Sequence, residues 1–272
     1  MSDRFPAFTR RNHRAATALA LAFSMGSCIA GCAAPNSTEN VSATTTPAAS
    51  NVYVLPSYMT DYHNQWLADP GIDLFSEEAT IIRAFIESDY IVDSGGDGSD
   101  AYHGFSRITA NTRGTVSSDR RYGEPADTPP RVYRGTSINR ILSIQTIPAG
   151  YPGDSTVVAY ACSDAYDTDY DGRKPDSSRL PSSSYEIWMH NTASTAIPYP
   201  RFEGPRNAPE GDVFGGWIVD KFTSSTSDRV QQETCSDWFK SRHDGNRLRM
   251  STDFAPPLVL PNYPGWPEDA AR

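Results

Sequence analysis

The N-terminal segment decides how much of this chain is left to fold. Arg4, Arg10, Arg11 and Arg14 precede an apolar stretch from Ala15 to Met25, and the small-residue run Ile29-Ala30-Gly31 ends at Cys32. A basic start, an apolar middle and a small-residue end make a secretory signal. As a membrane-spanning helix the segment is too short. Even stretched to Ala34, its apolar part barely approaches the ~20 residues a bilayer needs, and Ser24, Gly26, Ser27 and Gly31 weaken it further. Residues 1–31 are therefore expected to add nothing to a core, and the remainder is expected to fold outside the cytoplasm.

The run Ile29-Ala30-Gly31-Cys32 resembles the lipobox of bacterial lipoproteins. That resemblance implies cleavage before Cys32, a diacylglyceryl group on its thiol, and a lipid-anchored place on the cell membrane facing the extracytoplasmic side. Cys28 also follows small residues, but Met25-Gly26-Ser27 lacks the Leu or Ile three places ahead, so Cys32 is the better acceptor. Arg10-Arg11 is followed by Asn12-His13-Arg14 rather than by the apolar pair of a twin-arginine signal. Each buried methylene contributes about 0.8 kcal/mol, and two acyl chains hold firmly where one does not. Residues 32–51 follow as a Thr/Ala/Pro-rich tether with almost no apolar bulk, too little to offset the entropy of ordering. Such tracts resemble the O-glycosylated tethers of actinobacterial lipoproteins; a bare spacer is the equal alternative.

Charge narrows the partners. The chain carries 24 Lys and Arg against 33 Asp and Glu. Without the four arginines and Asp3 of residues 1–31, twenty cations face thirty-two acids, a net of −12. Binding to a phosphate backbone needs clustered cations, so nucleic acid is excluded as a partner. Anionic headgroups would repel this surface, which favours a tether over adsorption.

Residues 52–250 have the composition of a single globular domain. Ser76 has the character of a helix N-cap, with Glu77 and Glu78 complementing the helix dipole. Ile81, Ile82, Phe85, Ile86 and Tyr90 then repeat at helical spacing. A shorter turn is expected over residues 102–110. Strand-like runs cover 131–147, with a bulge near Ile141-Leu142, and then 156–163, 184–191 and 213–223. Residues 227–243 have a helical pattern capped by Ser227, with Val230, Thr234 and Trp238 on one face. The Pro-rich residues 251–272 have too little periodicity for an element; an extended tail lying over the domain is expected, with a partner motif as the open alternative.

Helices first, strands next and a late helix give an α+β class. Over about residues 70–225 this order resembles the nuclear transport factor 2 (cystatin-like) superfamily. The resemblance implies a curved antiparallel sheet packed on an N-terminal helix, here with an extra C-terminal helix.

If Cys28 leaves with the signal and Cys32 carries lipid, Cys162 and Cys235 remain, and an oxidising compartment favours a disulfide between them. Two separate buried thiols are the alternative. Asp167-Thr168-Asp169-Tyr170-Asp171-Gly172 looks like the first half of an EF-hand calcium loop, making Asp167, Asp169 and Asp171 candidate calcium ligands. Against that, Ser178 stands where the bidentate Glu belongs and Pro175 falls at position nine, so a solvated acidic loop is the competing expectation. The five histidines form no zinc grouping.

Glu186, Trp188 and His190 alternate along one strand. If their face lined a concave pocket, Glu186 and His190 would be candidate acid–base residues, as in ketosteroid isomerases of that superfamily. The opposite face, Tyr185, Ile187 and Met189, is at least as apolar; if it is the buried one, Glu186 and His190 face water. Asp220 and Lys221 are expected to form a surface pair. The resulting expectation is a non-catalytic envelope lipoprotein that binds an envelope protein or a lipidic ligand. The alternative is an extracytoplasmic enzyme with a cone-shaped pocket.

Overall fold

The computed structural model describes residues 52–95, 98–114, 130–148, 155–171, 182–192, 200–243, 257 and 259–268. The expected signal (1–31), the tether (32–51) and Cys32 lie outside these residues. Ala49–Arg272 form one compact unit.

The unit is α+β. Its elements run β1 (Asp61–Ala68), α1 (Glu77–Asp93), α2 (Phe105–Thr109), β2 (Arg113–Gly114), β3 (Tyr133–Pro148), β4 (Ser155–Asp164), β5 (Thr168–Tyr170), β6 (Ser182–Asn191), β7 (Trp217–Thr223) and α3 (Arg229–Arg242). Six strands line up as β1-β3-β4-β6-β7-β2, and β5 pairs with β3 off that path.

The sheet corrects the antiparallel expectation. The β3-β4-β6-β7 centre is antiparallel, but β1 runs parallel to β3 and β2 runs parallel to β7. Both parallel pairings are allowed by long connections: α1 lies between β1 and β3, and four strands separate β2 from β7. The two end strands, β1 and β2, do not pair with each other, so the sheet is open.

Helix α1 starts where Ser76 caps it, its hydroxyl accepting from Ala79 N at 3.2 Å. Every residue from Ala79 to Asp89 is buried. A helix buried on all sides needs cover on all sides. Phe85 shows how this is met: its ring touches Phe222 of β7 at 4.8 Å and Phe105 of α2 at 5.4 Å. Tyr90 stacks on Tyr62 of β1 at 4.8 Å. Ile141, Ala159, Ala161, Tyr185, Ile187, Met189, Val219 and Phe222 complete this core from the sheet.

The opposite sheet face carries a second, smaller core of Leu142, Cys162 and Cys235, with α3 over it. Pairing in β3 shifts between Ile141 and Ser143, as the loss of alternation there predicts, and Leu142 is the extra residue. The cap of α3 is Asp228 rather than Ser227: its carboxylate accepts from Val230 N at 2.9 Å and Gln231 N at 3.2 Å. The buried face of α3 is Cys235 and Phe239, while Val230 is 67% exposed. Of the residues expected to share a face, Trp238 packs, partly buried, against the smaller core.

Candidate functional site

Cys162 and Cys235 are joined in a disulfide, 0% and 3% exposed, that ties α3 to β4. At the other end of α3, the buried Asp164 Oδ2 meets Arg242 Nε and His243 Nε2, each at 2.8 Å.

The acidic run does not gather into a ligand set. Asp169 is in β5 and buried; Asp171 Oδ1 accepts from Val132 N at 3.0 Å. Among the described residues, no three or more His, Cys, Asp or Glu side chains are placed to share a metal ion.

Strand β6 does split into two faces. Tyr185, Ile187 and Met189 are core, and Glu186, Trp188 and His190 face the other way. Glu186 is not open to water, however: its side chain is 6% exposed. Lys221 Nζ at 2.6 Å and Trp188 Nε1 at 2.7 Å donate to its Oε1, and Thr226 Oγ1 donates to Oε2 at 3.0 Å. Burial pushes this carboxyl up, but the bonds from Lys221, Trp188 and Thr226 outweigh it and leave its pKa below the usual carboxylate value.

Asp220 and Lys221 are not a pair with each other. Pairing between β6 and β7 shifts at Trp188/Met189, making Asp220 an extra residue, so Asp220 and Lys221 both point to the α3 side. Asp220 Oδ2 lies 2.7 Å from His190 Nδ1, with both side chains 36% exposed. A carboxylate on Nδ1 orients an imidazole and favours the tautomer with its proton there. Four residues of strand put Glu186 and His190 about 13 Å apart. They form two separate pairs, not one acid–base site on a common atom.

A cluster the sequence reading missed lies inside the main core. Glu87, on α1, is buried and accepts three hydrogen bonds: Trp66 Nε1 at 2.7 Å on Oε1, Tyr102 hydroxyl at 2.8 Å and Trp266 Nε1 at 3.1 Å on Oε2. Arg83, one turn earlier and fully buried, donates from Nη1 to Pro264 O at 2.8 Å and lies 4.9 Å from the Trp266 ring centroid. Beside Glu87 is a cavity with room for about one water molecule, lined by Met59, Tyr62, Asn64, Tyr102 and Asn207 among others. The available signal was Arg83 and Glu87 spaced i, i+4 among Ile81, Ile82, Ala84, Phe85 and Ile86 of the same helix.

Burial pushes the Glu87 carboxyl up, against the opposing pull of Arg83 and the three donors. A raised value in the folded state means that the native protein binds this proton more tightly than the unfolded chain does. The stabilisation is present in full below the ordinary Glu value of about 4.3 and is lost as pH rises toward the raised one. The stability gap between wild type and Glu87→Gln is therefore expected to be largest near pH ~4 and to shrink toward neutrality. Urea unfolding of both proteins across that range checks this; a gap independent of pH would contradict it.

Comparison with protein-family models, curated proteins and solved structures gave no match to this chain. The site's polar groups are largely engaged with each other.

Proposed function

We propose that this chain is a lipid-anchored, extracytoplasmic protein of the cell envelope that works by binding an envelope component rather than by catalysis. The observation that carries the reading is the buried Cys162–Cys235 disulfide, a bond that persists in oxidising compartments and is rare in a reducing cytosol. It agrees with the signal-like N-terminus and with Cys32 as lipid acceptor. No helix among the described residues is long and apolar enough to cross a membrane. Attachment would thus fall to the acyl chains at Cys32.

The kinship we propose for the domain is with the nuclear transport factor 2-like proteins. In its favour is a long capped helix early in the unit, α1, whose Phe85 packs against the sheet through Phe222. The parallel strands β1 and β2 are additions to that pattern.

The anchor is tested by feeding cells labelled palmitate. Wild type is expected to take up label and to fractionate with membranes, and Cys32→Ala is expected to lose the label completely. Equal labelling of both proteins would remove the anchor from this reading.

A further inference from the structure

We infer that the seat of residues 259–268 is a peptide-recognition groove, which takes an extended peptide bearing a Tyr-Pro-Gly-Trp-like core and has the chain's own C-terminal segment as its resident occupant. The inference deepens the binding reading above by naming a partner class, and it rests on that reading only for biological setting, not for the anchor.

The groove has a backbone-reading part and a side-chain-reading part. One edge of β1 is paired to β3 along Asp61–Ala68; the resident segment takes the other. Tyr263 bridges Gln65 in parallel, with Tyr263 N donating to Asn64 O at 3.0 Å and Trp66 N donating to Tyr263 O at 2.6 Å. Side chains extend this main-chain recognition. Leu260 N donates to Thr136 Oγ1 at 2.8 Å, Gln65 Nε2 donates to Pro261 O, and Arg83 Nη1 donates to Pro264 O. Strand addition at a free sheet edge is a general way to hold an extended peptide, with pockets supplying selectivity.

The pocket here is for an indole. Trp266 is 1% exposed, its ring 5.9 Å from that of Tyr102 and 6.0 Å from that of Phe202, with Arg83 over it and its Nε1 on Glu87. An indole both fills this space and supplies the donor that Glu87 Oε2 accepts. Trp266 also exchanges backbone hydrogen bonds with Arg206, both at 3.0 Å. The residue before the indole must be small, because a Cβ on Gly265 would run into the Gly204 carbonyl.

Without Trp266, Glu87 keeps the Trp66 and Tyr102 donors, and β1 keeps its pairing with β3. The main chain of the occupant pairs with β1 at one isolated bridge rather than along a ladder, and side chains add the Gln65–Pro261 and Asn64–Asn262 bonds. A site organised before binding loses less entropy when a peptide enters.

The test uses the full chain and a fluorescein-labelled peptide with the sequence of residues 259–268. Trp266→Ala vacates the indole pocket, and its anisotropy titration is expected to show saturable binding at least ten-fold tighter than wild type, whose groove is occupied. The same peptide with its own Trp replaced by Ala is expected to bind at least ten-fold more weakly. A folded Trp266→Ala protein that binds no peptide, or binds both peptides alike, overturns the inference.

Hydrogen exchange on the wild-type chain decides the matter should Trp266→Ala fail to fold. The amides of Leu260, Tyr263 and Trp266 are expected to exchange together, at least ten-fold faster than those of β4 and β6. Exchange at the rate of β4 and β6 would mean that the segment leaves only when the whole domain unfolds, and would overturn the inference. Neither readout involves palmitate, so failure here is distinguishable from failure of the anchor.

Discussion

Alanine at both Cys162 and Cys235 is expected to lower the unfolding free energy by about 4 kcal/mol and to move the thermal midpoint down by roughly 8–16 °C. The bond spans a sequence separation of 73 residues, and closing an interval of that size removes a large share of the unfolded chain's freedom. The folded side of the balance points the same way. Apart from this bond, α3 buries only Phe239 and holds its last turn to Asp164 through Arg242 and His243. Removing the bond should therefore also loosen α3 selectively, seen as faster amide exchange across Arg229–Arg242 than across β6. Alanine rather than serine is the informative replacement, since serine would put hydroxyls beside Leu142 in the smaller core. A urea midpoint unchanged by the double substitution would mean that the cross-link restrains nothing the fold does not already hold.

The second large effect is expected at Trp66. Its side chain is fully buried on β1, and Trp66→Ala should cost about 3–5 kcal/mol, as truncating a core aromatic does. Two losses combine in that figure: the volume of the indole and the donor to Glu87 at 2.7 Å. Trp66→Phe separates them. It keeps most of the packing and removes the donor, so about 1–3 kcal/mol is expected. Both values come from chemical denaturation at neutral pH. Equal costs for the two variants would show that the hydrogen bond to Glu87, not the filled volume, makes Trp66 valuable.

The parts of this fold that could be read in the sequence are those in which a local rule has no competitor. Ser76, Glu77 and Glu78 followed by Ile81, Ile82, Phe85 and Ile86 mark α1 because cap, dipole and period agree. The Leu142 bulge showed as a break in alternation, and the division of β6 into Tyr185/Ile187/Met189 against Glu186/Trp188/His190 followed from period two. Strand β1 escaped notice because Asp61–Ala68 buries only Tyr62 and Trp66, four residues apart, with His63, Asn64 and Gln65 between them. Its place in the sheet is decided by partners distant in sequence: Arg134 to Ile141 of β3 on one edge and Tyr263 on the other.

The site was harder still. Glu87 is surrounded by Trp66, Tyr102 and Trp266, one from each of three separated stretches, and no spacing rule connects them. Trp266 lies among prolines and glycines with no period to announce burial, yet it is 1% exposed. In α3 the covalent bond to β4 turns Cys235 and Phe239 inward, with Trp238 partly buried beside them and Val230 left exposed.

The order β1-β3-β4-β6-β7-β2 has a consequence for how the chain can assemble. Both flanking strands come from before residue 115, whereas the four they enclose begin at Tyr133. On a ribosome that makes the N-terminus first, the flanks emerge before anything exists for them to join. β1 waits for β3, and β2 waits longer still, until Trp217–Thr223 of β7 has been made. The final step of sheet completion is thus a long-distance closure of β2 onto β7, a topology that favours slow maturation over rapid local zippering.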